Sequence, residues 1–79
     1  MTPSLKSVVA AVLEIDPARL DEASGMNLTE HWDSLNQFMI MSAVEREFDA
    51  RLAFRDMEEV ATVAAIRAFL LRQGIVAAD

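Results

Sequence analysis

Residues 31–49 read HWDSLNQFMIMSAVEREFD. After the Asp33–Ser34 pair, Phe38, Met41, Val44 and Phe48 recur at three- and four-residue intervals, and Ile40 flanks the same side. That period belongs to an amphipathic helix with its apolar stripe against a core. About 15 residues of it span roughly 22 Å. Glu45, Arg46, Glu47 and Asp49 gather at the far end. At the near end a helix exposes four backbone N–H groups that lack intrahelical acceptors. Asp33 suits the N-cap, typically worth about 1 kcal/mol. Ser34 with Gln37 three residues on is an alternative cap pair. The same serine ends a long loop, with its hydroxyl toward solvent at the positive pole of the helix. A phosphate attached there meets free N–H groups and the helix field.

On the N-terminal side, SLKSVVAAVLEID (4–16) predicts a first helix. Leu5, Val8, Val9, Val12 and Leu13 form its face, Ser4 or Thr2 its cap, and Pro3 and Pro17 its start and stop. PARLDEASGMNLTEHW (17–32) keeps no period and reads as a loop of about 16 residues, a length that often has a functional reason. A short helical turn fits Ala18 to Ala23. Leu20, Met26, Leu28 and Trp32 are candidates to pin the loop onto the core.

On the C-terminal side, ARLAFRD is a connector, with Leu52 and Phe54 expected to point inward. Asp56 suits the cap of a short turn over Met57 to Ala61, with Glu59 completing a capping box. Thr62 restarts a helix whose face is Val63, Ile66, Phe69 and Leu70, and Gly74 ends it. The last five residues are expected to be loose. The fold expected is all-α: three main helices, one short helix and a long first connection around a single core. One domain covers 4–75.

With 79 residues the chain buries only roughly 60% of its extended surface, which favours binding, carrying or regulating over an enclosed catalytic cleft. It has no cysteine, which excludes disulfides, a cysteine nucleophile and thiolate metal sites. Thirteen acidic and seven basic residues leave a net charge of -6, contrary to the positive charge that nucleic-acid binding needs and favourable to basic protein partners. VVAAVL is far short of the roughly 20 apolar residues of a membrane span. No signal peptide is read, and a cytoplasmic, monomeric protein is expected. His31 is the only histidine, and three positions before Ser34 it does not build a triad. No catalytic residue and no metal site is expected.

WDSLNQFMIMSAVEREFD resembles the attachment region of acyl carrier proteins and the related peptidyl carrier domains. In that family a DSL motif, here Asp33, Ser34 and Leu35, opens the second helix. EREFD (45–49) resembles the acidic end of that helix, and DMEEVATVAAI (56–66) the short third helix and the start of the fourth. The likeness covers roughly residues 4–73 and implies a four-helix bundle of the acyl-carrier type. It implies that Ser34 carries 4'-phosphopantetheine as a covalent cofactor, transferred from coenzyme A by a phosphopantetheinyl transferase. Ser34 Oγ attacks the phosphorus nearest the pantetheine, and adenosine 3',5'-bisphosphate leaves. Asp33 positions the serine and lends an oxygen to the transferase's metal ion. The arm's thiol then holds thioesters, so the missing cysteine is no obstacle. The implied partners are an acyl- or aminoacyl-activating ligase and ketosynthase, condensation or acyltransferase enzymes of a fatty-acid, polyketide or nonribosomal-peptide type pathway. The chain length suggests a free-standing carrier.

Two positions depart from the family's usual pattern. Trp32 stands where many members have glycine, and Met39 where fatty-acid-type members have an acidic residue one turn after the serine. Leu35, Met39, Ser42 and Arg46 share one side of the helix. They read as a partner-binding stripe, apolar with a positive end, which points to a specialised pathway; simple packing of Met39 against the long loop is the bland alternative. Small residues (Ala10, Ala11, Ala43, Ala64, Ala65 and Ala68) suit close helix packing or a narrow opening for an acyl chain. An unmodified helical interaction module with Asp33 and Ser34 serving only as caps is the rival reading.

Overall fold

The computed structural model describes residues 3–79. The candidate cap Thr2 lies outside them. Three α-helices, α1 (Leu5–Leu13), α2 (Ser34–Phe48) and α3 (Val63–Arg72), are joined by connections that contain two 3-10 turns, Pro17–Arg19 and Phe54–Asp56. The bundle is all-α, as the apolar stripes predict.

The helix ends follow from local chemistry. Ser4 Oγ accepts from the Ser7 N–H at 3.2 Å and starts α1. Leu5, Val9, Ala10 and Leu13 form its buried face, with Val8 and Val12 half-buried beside them. The helix ends at Glu14, in a left-handed conformation (φ 58°), two residues short of the expected Asp16. Pro17 stops nothing. It opens the Pro17–Arg19 turn, whose Ala18 N–H is accepted by Asp16 Oδ1 at 2.9 Å. Its fixed φ and missing N–H suit that first position. The predicted turn at Ala18 to Ala23 is thus shorter and earlier.

In α3, Thr62 Oγ1 accepts from the Ala65 N–H at 3.0 Å, and Val63, Ile66 and Leu70 are buried. Gly74, at φ 79°, turns the chain. The Gly74 N–H reaches Leu71 O and the Ile75 N–H reaches Leu70 O, both at 2.9 Å, which satisfies the last carbonyls of the helix. The residues after it are not loose. Ala77 is buried, Ala78 O and Asp79 O accept from the Leu5 and Lys6 N–H groups at 2.7 and 2.6 Å, and the tail so caps α1. Unpaired N–H groups at a helix start offer acceptors a strong local incentive, which hydrophobic period does not register.

Two further expectations are corrected. The short helix is a 3-10 turn that starts at Phe54, and Asp56 closes it by accepting from the Ala53 N–H at 2.9 Å. Residues 57–60 continue as turns, and Glu59 pairs with Arg72 in place of a capping box. Leu52 is buried, but Phe54 points into solvent.

The long loop is clipped to the start of α3. Met26 N–H donates to Ala61 O (2.8 Å), Val63 N–H to Ser24 O (3.0 Å) and Ala64 N–H to Glu22 O (3.0 Å). Leu20 and Trp32 are buried and Met26 is half-buried, as expected of pins, whereas Leu28 is 78% exposed. Gly25 lies so close to α3's cap that a Cβ there meets Ala61 O at 2.5 Å and Thr62 Cγ2 at 2.8 Å. Gly25→Ala is therefore expected to destabilise the fold by about 1–3 kcal/mol, the usual cost of overpacking. Urea midpoints of the two proteins check this.

Arg67 adds a charged clasp. Its Nε and Nη2 donate to the two Glu22 oxygens at 2.9 and 3.1 Å, and its Nη1 to Ala77 O at 3.1 Å. The Arg67 hydrogen bond holds the Glu22 carboxyl below its ordinary value of 4.5, and Glu22 in turn raises Arg67. A carboxyl more acidic folded than unfolded stabilises the protein above pH 4.5, and that contribution is lost as the pH falls through the lowered value. Glu22→Gln should flatten the acid limb of stability against pH below 4.5. The effect is small because Glu22 is half-exposed.

Candidate functional site

The loop that leads into α2 is held from both sides. Asn27 and His31 take left-handed conformations (φ 65° and 68°), and both residues bend the chain tightly. The Asn27 N–H donates to Trp32 O at 2.7 Å, the Trp32 N–H to Thr29 O at 3.0 Å, and Asn36 Nδ2 to His31 O at 2.6 Å. Asp33 is the N-cap: its Oδ1 accepts from the Asn36 N–H at 2.9 Å. Ser34 is the first residue of α2 and is exposed. The N–H groups of Ser34 and Leu35 precede the first intrahelical bond and point to the same end. An anion on Ser34 Oγ would find those donors and the positive end of a 15-residue helix.

The alternative cap pair, Ser34 with Gln37, does not form. Gln37 is the buried polar side chain among the described residues. Its Oε1 accepts from Trp32 Nε1 at 2.6 Å, and its Nε2 donates to Met57 O and Val60 O, both at 2.9 Å. It takes the core position that the apolar period assigns to Phe38. Ile40, Met41, Ala43, Val44 and Phe48 complete the buried side of α2. Burial of an amide is tolerable when its donors and acceptors are satisfied.

Phe38, 45% exposed, is thereby turned outward. Its ring meets Phe54, 68% exposed, with centroids 5.9 Å apart at a 53° tilt. Leu35 is 70% exposed, Met39 50%, and Ser42 and Arg46 are exposed with them on the face away from the core. Met39 is not buried against the long loop. The aromatic pair was missed from sequence. A phenylalanine at core-like spacing and another in an aperiodic connector carry no local sign that they meet in solvent.

His31 Nε2 lies 3.3 Å from Glu30 Oε1, and Arg19 Nη2 2.9 Å from Glu30 Oε2. His31 thus lies beside the surface Arg19–Glu30 ion pair. No group of three or more His, Cys, Asp or Glu side chains that could hold a metal occurs among the described residues. A shallow recess of about 450 Å³, lined by Asn27, Leu28, Thr29, His31, Trp32 and Asp33, adjoins the serine. A groove of about 570 Å³ runs between α1 and α2 past Ser7, Val8, Ala11, Val12, Ala43 and Arg46. Ala10 and Ala43 are buried, and Ala43 also lines this groove. Among the described residues no helix is long and apolar enough to cross a membrane.

An exposed primary alcohol at a capped helix start is the kind of acceptor on which a phosphodiester can be formed. The family model for the phosphopantetheine attachment site matches residues 3–70. The chain belongs to this family, the acyl and peptidyl carrier proteins, and is a carrier module and not an enzyme. No curated protein matches the chain significantly.

Proposed function

We propose that Ser34 is the residue modified with 4'-phosphopantetheine, and that the protein, over residues 4–75, is a monomeric cytoplasmic carrier of acyl or aminoacyl groups. The observation that carries this reading is the exposure of Ser34 at the first position of α2, beside its Asp33 cap. When bound, the arm supplies a thiol for thioester linkage. The chain's own residues do the rest. Asp33 fixes the start of α2, and its second oxygen would be available to a metal ion held by the transferase. The Ser34 and Leu35 N–H groups would be the donors available to a phosphodiester at Ser34. Trp32 and Gln37 keep the loop from folding over it.

The supporting face for partners is Leu35, Met39, Ser42 and Arg46, extended by Phe38 and Phe54. Its apolar character beside the serine fits a ligase and downstream ketosynthase, condensation or acyltransferase enzymes of a specialised fatty-acid, polyketide or nonribosomal-peptide type pathway. Transient exchange requires such small patches. Met39→Glu puts a charge into that contact and is expected to lower kcat/KM for loading by the cognate ligase by about tenfold or more, equivalent to ~1.4 kcal/mol. An unchanged rate removes Met39 from the interface.

The test of the carrier reading is the intact mass after incubation with coenzyme A and broad-specificity phosphopantetheinyl transferases. A gain of one phosphopantetheinyl group is expected. No gain with several active transferases favours an unmodified interaction module.

A further inference from the structure

Gln37 joins two segments that the chain separates widely. Its amide oxygen holds the indole of the attachment loop, and its amide nitrogen holds two carbonyls of the 57–60 turn. The bonds to Trp32 and Val60 are buried, the bond to Met57 O is part-buried, and Gln37 itself is inaccessible to solvent. The partners have no ready substitutes. The indole has a single N–H to donate, and its bond to Gln37 is buried. Losing one end therefore costs the other its geometry, because an amide that swings away from Met57 and Val60 also withdraws its oxygen from Trp32.

Besides Gln37, the turn is held by Val60, which is fully buried in the core, by Met57 packed against that core, and by the Glu59–Arg72 pair. Residues 57–60 form no α-helix; their backbone bonds are the Met57 N–H to Phe54 O and the Val60 N–H to Asp56 O, both 3.1 Å. Three residues before this turn, Phe54 lies in the open against Phe38. On the other side, Trp32 is the residue through which the loop reaches the core, and its carbonyl accepts from Asn27. Ser34 follows two residues later.

We propose that Gln37 is a positioning residue that makes the 57–60 turn and the 27–33 loop one cooperative unit, so that Ser34 is presented for modification only while the turn is closed. The link to modification rests on the reading of Ser34 given above; the coupling itself does not. A group that displaces the turn then loosens the entrance to α2 from a distance.

Two measurements test this. In the unmodified protein, native-state hydrogen exchange should show the Asn27 and Trp32 amides opening together with Met57 and Val60, with one common denaturant dependence. Independent opening of loop and turn overturns the coupling, whatever Ser34 carries. In the second, Gln37→Met keeps the volume and removes all three bonds. It is compared with Val9→Ala, a core change on α1 that removes none of the three bonds, brought to equal stability by the choice of temperature. Gln37→Met should lower kcat/KM for phosphopantetheinyl transfer by about tenfold to a hundredfold, the scale of a misplaced reacting group, while Val9→Ala stays at the wild-type rate. Equal rates in the two variants overturn the positioning role. If Gln37→Met does not fold, the exchange measurement decides alone. If the wild-type protein accepts no arm at all, it is the reading of Ser34 that falls, and the exchange result still stands on its own.

Discussion

Ser34→Ala is expected to abolish attachment of the phosphopantetheine arm, and with it all thioester loading, while stability stays within about 0.5 kcal/mol of wild type. The separation of the two effects follows from the geometry. Ser34 is exposed, and the cap of α2 is supplied by Asp33 and Asn36, so the hydroxyl supports no other part of the fold. Alanine is the best helix former and fits the first turn. An unfolded Ser34→Ala protein would show that the hydroxyl is structural. A fold that persists with the arm still attached would move the modification to another serine. Intact mass and circular dichroism on the same sample distinguish these results.

The largest expected loss of stability belongs to Trp32. Trp32→Ala is expected to cost about 3–5 kcal/mol for the removed indole and the space it leaves, with about 1–3 kcal/mol more for the buried Gln37 oxygen left without its donor. A domain of this length has a total of about 4–12 kcal/mol, so the variant should be largely unfolded at 37 °C. Trp32→Phe separates the two contributions: it retains most of the volume and loses the N–H, and should cost only the smaller amount. Denaturant midpoints measure both. A Trp32→Ala loss below about 1 kcal/mol would contradict the core role assigned to the indole.

The three long helices were legible because each signals itself by two independent means. Leu5, Val9 and Leu13 repeat at helical spacing behind Ser4. Ile40, Met41, Val44 and Phe48 do so behind Asp33, and Val63, Ile66 and Leu70 behind Thr62. Gly74 marks the last end through a conformation that favours glycine. Asp33 and Ser34 were legible as a pair because a cap and an exposed first residue are both local properties.

The remainder depends on contacts that spacing does not encode. Gln37 and Phe38 trade places: the amide goes inside because Trp32, Met57 and Val60 offer it three bonds, and the ring goes outside to meet Phe54. Nothing within three or four residues of either foretells the exchange. The tail carries no pattern that marks it as ordered, yet Ala78 and Asp79 find the unpaired N–H groups of α1. Leu28 is a candidate anchor by its apolarity alone; in an aperiodic loop one leucine is as readily exposed as buried. The short helix lies three residues before the place its sequence suggests, because Asp56 closes a turn where a cap would open one. Both roles use the same carboxylate-to-amide bond and differ only in direction along the chain.

Fragmentation of the modified protein by tandem mass spectrometry, after reaction with coenzyme A and a phosphopantetheinyl transferase, asks most directly whether the Ser34 hydroxyl is the acceptor. The account predicts one arm per chain, located on Ser34, with Ser4, Ser7, Ser24 and Ser42 unmodified. An arm on any of those other serines, or a chain that stays unmodified alongside a carrier protein that is modified in the same tube, would contradict it.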